Sequence, residues 1–386
     1  MDFNLSDDQL AYQQAARDFA NRDMAPFAAE WDQKKHFPRD VLEKLAGLGF
    51  GGVYISADVG GAGLSRLDGC IIFEELARGC TSTTAYLTIH HMVEGMIDKY
   101  GSPELRQKFL PDMCAGKKLG SYCLTEPGSG SDAAALRTTA TKKGSAYILD
   151  GTKAFVSGGG ATDVLAVMAR TGEAGAKGIS AFIIDAKSPG ISYGENERKL
   201  GWNSQPTRIL HFDSVEVPAD QMLGEENTGF RICMNGLDGG RINIATCSVG
   251  TAQAAMEATV RYMHERKQFG KEIAEFQALQ FRMADMGTEL VASRQLVRLA
   301  ACKLDAKDPL ATAYCAMAKK YATDAGFNIC NEALQMFGGY GYIQEYPIER
   351  HLRDARVHQI LEGTNEIMRV IISRKVLEDG ALEFLR

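Results

Sequence analysis

At 386 residues, with 45% hydrophobic and 24% charged side chains, the chain has the composition of an ordinary globular protein. Its length is too great for one small core and predicts two or three domains. The formal net charge of −6 argues against a nucleic-acid protein, which needs a cationic footprint, and no apolar run approaches the roughly 18–20 residues of a membrane span.

The opening stretch, MDFNLSDDQLAYQQ, is acidic and polar, unlike a signal peptide or an Arg-rich transit peptide. The expected location is a bacterial cytoplasm, or the mitochondrial matrix if the chain is a processed one. Ser6 and Gln9 have the S-x-x-Q spacing of a capping box and open the first helix. CIIFEELARG and TTAYLTIHHMVEGMIDKYG continue the helical pattern, the second ending at Gly101. Ser102 and Pro103 then read as N-cap and first helical residue ahead of ELRQKFLPDMCAG. Residues 1–116 are therefore assigned to an N-terminal all-α domain. His90 and Glu94 lie i,i+4 and could share a metal, but no further ligand spacing and no HExxH accompany them, so no metal site is expected. Nine cysteines occur singly with no CxxC, which reads as reduced thiols in a reducing compartment.

The texture changes near Gly120. LGSYCLTE, LRTTATKKG, SAYILDG, TKAFVSGGG, VLAVMART, ISAFIIDA and TRILHFDSVEVP are short runs rich in β-branched and aromatic residues, punctuated by Gly, Lys-Gly and Asp-Gly turns. Without intervening helices, such spacing predicts an antiparallel sheet over residues 117–225. Within it, Gly128-x-Gly130-x-x-Ala133 spells a dinucleotide fingerprint. The context does not fit, because LRTTATKKG is a strand sequence where a Rossmann loop would open a helix. Such a Gly/Ser loop between strands is either a plain surface turn or the lining of a ligand cleft.

From residue 226 the helical period returns and runs to 386. Phe276, Leu279, Met283, Met286, Leu290 and Val297 recur at helical spacing, as do Leu310, Tyr314, Met317 and Tyr321 in the next helix, which stops at Gly338-Gly339. These stripes are read as core faces of a helical bundle. Near the end, HQILEGTNEIMR places Glu362 between an apolar pair and a turn. An acid there is either a helix-start charge or a general base in a dry pocket.

YCLTEPGSGSD, KAFVSGG, ERKQFG, QMFGGYGY and LEGTNEIMR occur in one order, and together they resemble the acyl-CoA dehydrogenases from end to end. That resemblance implies an α+β multidomain fold: an N-terminal all-α domain, a central antiparallel β domain and a C-terminal four-helix bundle. It also implies FAD between the β domain and the bundle, and α,β-dehydrogenation of an acyl-CoA thioester. Glu362 matches the family's base for the α-proton, with flavin N5 as hydride acceptor. The Glu362 backbone N–H and a flavin ribityl hydroxyl would polarise the thioester carbonyl. Some members carry the base on the residue before the Arg of the bundle's first segment; here that residue is Gly240, ahead of Arg241.

By the same resemblance, Tyr122, Cys123, Leu124, Thr125, Gly130, Ser131, Phe155, Val156 and Ser157 line the flavin. Arg266, Gln335, Met336, Phe337, Gly338 and Gly339 would reach the cofactor from a neighbouring subunit, with Gln268, Phe269 and Gln277 in the same region. Thr364, Asn365 and Glu366 would touch it after the catalytic loop. Ser131, Asp238, Arg241, Gly363 and Arg374 match positions that meet the CoA substrate. From the residues alone, Arg266 reads as an exposed charge; Arg374 has the alternative of a helix-surface charge, and Arg241 that of a buried ion-pair partner.

Three longer stretches, GLDGGRINIATCSVG, VHQILEGTNEIMR and ICNEALQMFGGYGY, look most like a member acting on a short, isobutyryl-like acyl group. 2-Methylbutyryl-CoA and butyryl-CoA are alternatives, because one methylene changes binding by only about 1–3 kcal/mol. Electron-transferring flavoprotein and a homotetramer, a dimer of dimers, are the implied partners. Rival readings are a flavin oxidase of the same fold and a non-catalytic binding relative.

Overall fold

The computed structural model describes residues 4–378; residues 379–386, assigned from the sequence to the C-terminal domain, lie outside the described part. Helices come first. α1 (Asp7–Phe19) opens with the expected capping box, Ser6 and Gln9 each accepting from the other's backbone N–H. α2 (Ala28–Lys34), α3 (Arg39–Gly47) and α4 (Arg66–Gly79) follow, then α5 (Thr81–Tyr100), which ends at Gly101. Ser102 caps α6 (Pro103–Cys114) by accepting from Leu105 N–H, with Pro103 in the first turn. His90 and Glu94 pair with each other inside this domain, Nε2 to Oε1 at 3.2 Å, while His90 Nδ1 accepts the Gly120 N–H.

The middle of the chain is one sheet of β1 (Gly120–Cys123), β2 (Thr139–Lys143), β3 (Ala146–Ser157), β4 (Val164–Arg170), β5 (Ile179–Asp185), β6 (Ile191–Tyr193), β7 (Thr207–Pro218) and β8 (Met222–Leu223). Strands run in the order β6-β7-β3-β2-β4-β5-β8, mostly antiparallel. The exceptions to the expected antiparallel pattern are β1, which lies parallel to β4 (Gly120 opposite Val164), and a parallel contact of β2 with β4 at Thr139 and Arg170. Asp150-Gly151, read as a turn, sits inside β3. The strand shifts register there against β7, and a Cβ on Gly151 would stand 2.6 Å from Thr138 Oγ1. Glycine therefore permits a close crossing, and the chain continues straight through. The Gly128–Ala133 stretch opens only a short turn at Ala133–Ala135, so no Rossmann helix forms.

One face of the sheet packs on α5, α6 and α7 through Val164, Ala166, Met168, Ile183, Ile97, Leu110 and Ile232. α7 (Gly229–Glu265) is 37 residues long and buried along most of its first half. α8 (Gln277–Asp305), α9 (Ala311–Phe337), α10 (Ile348–Arg356) and α11 (Asn365–Val376) complete the helical region. On α8 the expected stripe is inside, with Met286, Leu290 and Val297 buried. On α9 it is not. The buried face is Cys315, Ala318, Ala322, Ile329, Cys330 and Ala333, while Tyr314 and Met317 are half-buried and Tyr321 is exposed. Small residues let α9 approach α7 closely; a Cβ on Gly326 would meet Ser248 O at 3.0 Å.

Candidate active site

Glu362 precedes α11 rather than opening it. Thr364 is the N-cap, its side chain accepting from Ile367 N–H, and the acid of the first turn is the exposed Glu366. Glu362 itself has φ 56 and Gly363 φ 87. A left-handed conformation at a non-glycine residue costs energy and is retained where the surroundings enforce it. The helix-start reading therefore fails on geometry.

The turn aims the Glu362 side chain at α7. A Cβ placed on Gly240 would stand 2.4 Å from Glu362 Oε2 and 2.9 Å from Cδ, so the missing side chain at 240 is the space the carboxylate fills. Oε2 is buried and finds no hydrogen-bond partner among the described residues. Burial pushes the carboxyl up to about 7, against the opposing pull of the Arg241 and Lys319 charges.

Arg241 and Asp238 stand one turn apart on α7. Arg241 Nη1 donates to Asp238 Oδ1 at 2.6 Å, and Thr312 Oγ1 on α9 donates to Asp238 Oδ2 at 2.6 Å. Asp238 is thus engaged on both oxygens by protein, whereas Arg241 Nε has no partner among the described residues. The structure brings Asp238, Gly240, Arg241, Glu362 and Gly363 together. Arg374 is not in this group; it is exposed near the end of α11.

The sheet supplies the adjoining wall. Tyr122 Oη donates to Cys233 Sγ on α7 at 2.8 Å, and burial raises both groups. Leu124 O accepts from the buried Lys153 Nζ, which also pairs with Glu126. Thr125 O accepts from Ala154 N–H. Cys123 and Val156 turn into the sheet's other core, so only their backbone is available to a ligand on this side. Next to Val156 on β3, Phe155 is 67% exposed with φ 55, at a register shift. Ser157 O accepts from Ser121 Oγ. Gly130 and Ser131 lie exposed beyond the tight Glu126–Ser129 turn.

Arg266, Gln268 and all of Gln335–Gly339 line a separate cleft of about 510 Å³, floored by Tyr262 and Ile273. Phe269, 92% exposed with φ 53, projects at the tip of the ribbon formed by β9 (Lys267–Gln268) and β10 (Lys271–Glu272); Gln277 is exposed at the start of α8. The residue after Glu362, Gly363, is bonded to Lys319 on α9, and Gln335 lies further along the same helix by roughly 24 Å at 1.5 Å per residue. One chain's cleft thus lies far from its own Glu362.

Two residues near Glu362 escaped sequence reading. Lys319, on which the sequence analysis is silent, is fully buried and donates to Gly363 O at 2.7 Å and to Asn365 Oδ1 at 2.8 Å. Its signal was its place on the small-residue stripe, four residues after Cys315 and three before Ala322. His358, four residues ahead of Glu362, is buried and neutral, held well below the usual imidazole range at about 3 by desolvation. It accepts Trp202 Nε1–H at Nε2 and meets Ser248 Oγ through Nδ1.

Comparison with known proteins finds matches along nearly the whole chain. Family profiles described as the N-terminal, middle and C-terminal domains of acyl-CoA dehydrogenase match residues 6–117, 121–215 and 227–377. The chain is 54% identical over 376 residues to mitochondrial isobutyryl-CoA dehydrogenase of Dictyostelium discoideum, covering 97% of this chain and 90% of that one. Butyryl-CoA dehydrogenase from Megasphaera elsdenii superposes with a TM-score of 0.95 at 40% identity, over 98% of this chain and 100% of that one. A chain in the structure described as "Electron transferring flavoprotein of Acidaminococcus fermentans: Towards a mechanism of flavin-based electron bifurcation" gives 0.96 at 41% identity, over 98% and 100%. The chain belongs to the acyl-CoA dehydrogenase family of oxidoreductases.

Proposed function

We propose that the protein dehydrogenates a short branched acyl-CoA, isobutyryl-CoA first among candidates, to the 2-enoyl-CoA, with Glu362 as the base that removes the α-proton. The observation that carries this reading is the Glu362 carboxylate, enclosed against Gly240 with Oε2 unpartnered. A carboxylate in water is a poor base for a carbon acid. One desolvated to about 7 sits near the operating pH, where it is deprotonated often enough and still accepts a proton readily. An acyl chain in the pocket excludes water further and strengthens this effect. Gly240 carries no side chain to share the task, and the other acid here on α7, Asp238, is engaged on both oxygens by Arg241 and Thr312.

The residues suit FAD, the family's cofactor. Phe155 offers an exposed aromatic face beside the backbone of Tyr122, Leu124 and Thr125, and the Arg266 cleft offers a guanidinium fork with the closely approachable backbone of Gly338-Gly339 for a diphosphate. When bound, FAD supplies the hydride acceptor for the β-carbon. Val156, Ser157, Ser131, Thr364 and Glu366 complete the flavin contacts in this reading. Asn365 takes part through its backbone, because its side chain is engaged with α9. Arg241 and Asp238 act beside the substrate, and Arg374 reaches CoA from α11.

The separation of cleft and base along α9 supports a cofactor shared across subunits, hence at least a dimer and, by resemblance, a dimer of dimers. Phe281, Val291 and Leu299 on the outward face of α8 provide apolar surface for such an assembly. The likeness to the chain in the electron-transferring-flavoprotein structure supports that protein as electron acceptor. Free cysteines throughout the described residues fit a reducing compartment, bacterial cytoplasm or mitochondrial matrix. No helix among the described residues is long and apolar enough to cross a membrane.

Anaerobic titration of the purified protein tests the reading. Bleaching of the flavin bands by isobutyryl-CoA at lower concentration than by butyryl-CoA or 2-methylbutyryl-CoA is expected. Bleaching by butyryl-CoA alone would remove the branched-chain assignment, and turnover that requires oxygen would favour an oxidase.

A further inference from the structure

The loop that carries Glu362 is tied at both ends to a single turn of α9. Ahead of it, Gln359 Nε2 donates to Asp324 Oδ1 at 2.7 Å. Behind it, Asn365 Nδ2 donates to the same oxygen at 2.7 Å and to Thr323 Oγ1 at 2.9 Å. Between these ties, Lys319 Nζ donates to the Gly363 carbonyl at 2.7 Å and to Asn365 Oδ1 at 2.8 Å. Gly363 takes its positive φ freely, but Glu362, a non-glycine residue at φ 56, needs its surroundings to hold that conformation.

We propose that Lys319 is a positioning residue for the base: its two hydrogen bonds hold the left-handed Glu362-Gly363 turn, and its ammonium, while protonated, places a positive charge near the carboxylate. This rests on Glu362 being the base. A lysine has a strong physical reason to be somewhere else, since burying an ammonium away from water is costly unless it is paired. Both observed bonds go to the catalytic segment. Its charge also offsets part of the desolvation of Glu362, and desolvation lowers Lys319 itself to about 7. The two groups therefore exchange influence across one small enclosure. The other groups facing this pair are Arg241, Tyr122, Cys233, His358, Asp324 and Glu366. Of these, Arg241 is a second cation acting on Glu362 but makes no bond to its loop; it is committed to Asp238.

The test compares the flavin-loaded parent with Lys319→Met, which removes bonds and charge, and Lys319→Gln, which removes the charge but keeps an N–H donor on a slightly shorter side chain. Single-turnover bleaching by a short acyl-CoA is followed from pH 5.5 to 9.5, and amide hydrogen exchange of the peptide spanning residues 358–369 is measured without substrate. Loss of the cation makes Glu362 harder to ionise. The rising limb of the rate should move upward by about one pH unit in both variants, a tenfold change in proton concentration. The high-pH plateau should fall more in Lys319→Met than in Lys319→Gln, and exchange in 358–369 should quicken in Lys319→Met. An unmoved limb with a uniform fall in rate, or unchanged exchange in that peptide, overturns the proposal. If Lys319→Met fails to fold, the limb of Lys319→Gln decides. Glu362→Gln is the separating control: bleaching at the parent rate would refute the base itself, while the exchange result would still report whether Lys319 holds the turn.

Discussion

Adding one methyl group at Gly240 should disable the site without harming the fold. The Cβ of Gly240→Ala would fall 2.4 Å from Glu362 Oε2 and 2.9 Å from Cδ. Ordinary contact begins at about 3.4 Å, so the carboxylate must withdraw by about 1 Å. The atoms displaced are the far end of a flexible side chain, so the helix can stay in place. Alanine also favours the interior of α7 by up to about 1 kcal/mol over glycine. A 1 Å misplacement of a reacting group costs on the order of a hundredfold in rate, or about 2.7 kcal/mol in the barrier. The assay is anaerobic stopped-flow bleaching at saturating acyl-CoA, with thermal unfolding alongside. A roughly hundredfold slower phase with an unchanged or slightly raised Tm is expected. Bleaching within a few-fold of the parent would refute the claim that the carboxylate works from the space above Gly240.

Three further outcomes follow from the same geometry. Arg241→Gln leaves the buried Asp238 carboxylate facing only Thr312, and denaturant unfolding should register a loss of about 3–5 kcal/mol. Glu362 is held above its solution value, so between about pH 4.5 and 7 the folded state binds the extra proton and stability falls as pH rises; Glu362→Gln should therefore gain Tm relative to the parent as pH increases from 5 to 8, and a constant difference would count against the burial of that charge. Arg266→Ala should lose flavin on gel filtration. Co-expressed with Glu362→Gln it should recover activity, because a mixed dimer then holds one site with both Glu362 and the partner's Arg266 intact; no recovery would mean that each chain serves its own site.

Local signals in the sequence were reliable wherever the cause was local. The Ser6–Gln9 box, Ser102-Pro103, Gly101 and the stop at Gly338 each depend on a few neighbouring residues, and each appears in the structure. The Gly128–Ala133 fingerprint was dismissed on its flanking strand sequence, and the chain forms only a short turn there. Features set by distant partners were not legible. The parallel pairing of β1 with β4 joins residues more than forty positions apart, and strand spacing carries no information about it. Asp150-Gly151 looks like a hairpin turn because its glycine is demanded by Thr138 across the sheet. α9 misled because large residues were taken as core, whereas close approach to α7 selects small ones. That same error concealed Lys319, which occupies the small-residue face.

Around the site, the motif order located Glu362, Arg241 and the Arg266 cleft together with their elements. It could not reveal that Glu362 lies in a left-handed turn before the N-cap, or that Arg374 stands exposed near the far end of α11. Nor could it reveal that the Asn365 side chain is spent on α9.

The most direct measurement is the rate of flavin bleaching when Glu362→Gln, loaded with flavin, is mixed anaerobically with isobutyryl-CoA. Removing a positioned general base should slow that phase by about 10²–10⁴-fold while flavin content and substrate binding persist. Bleaching at the parent rate would show that another group takes the proton.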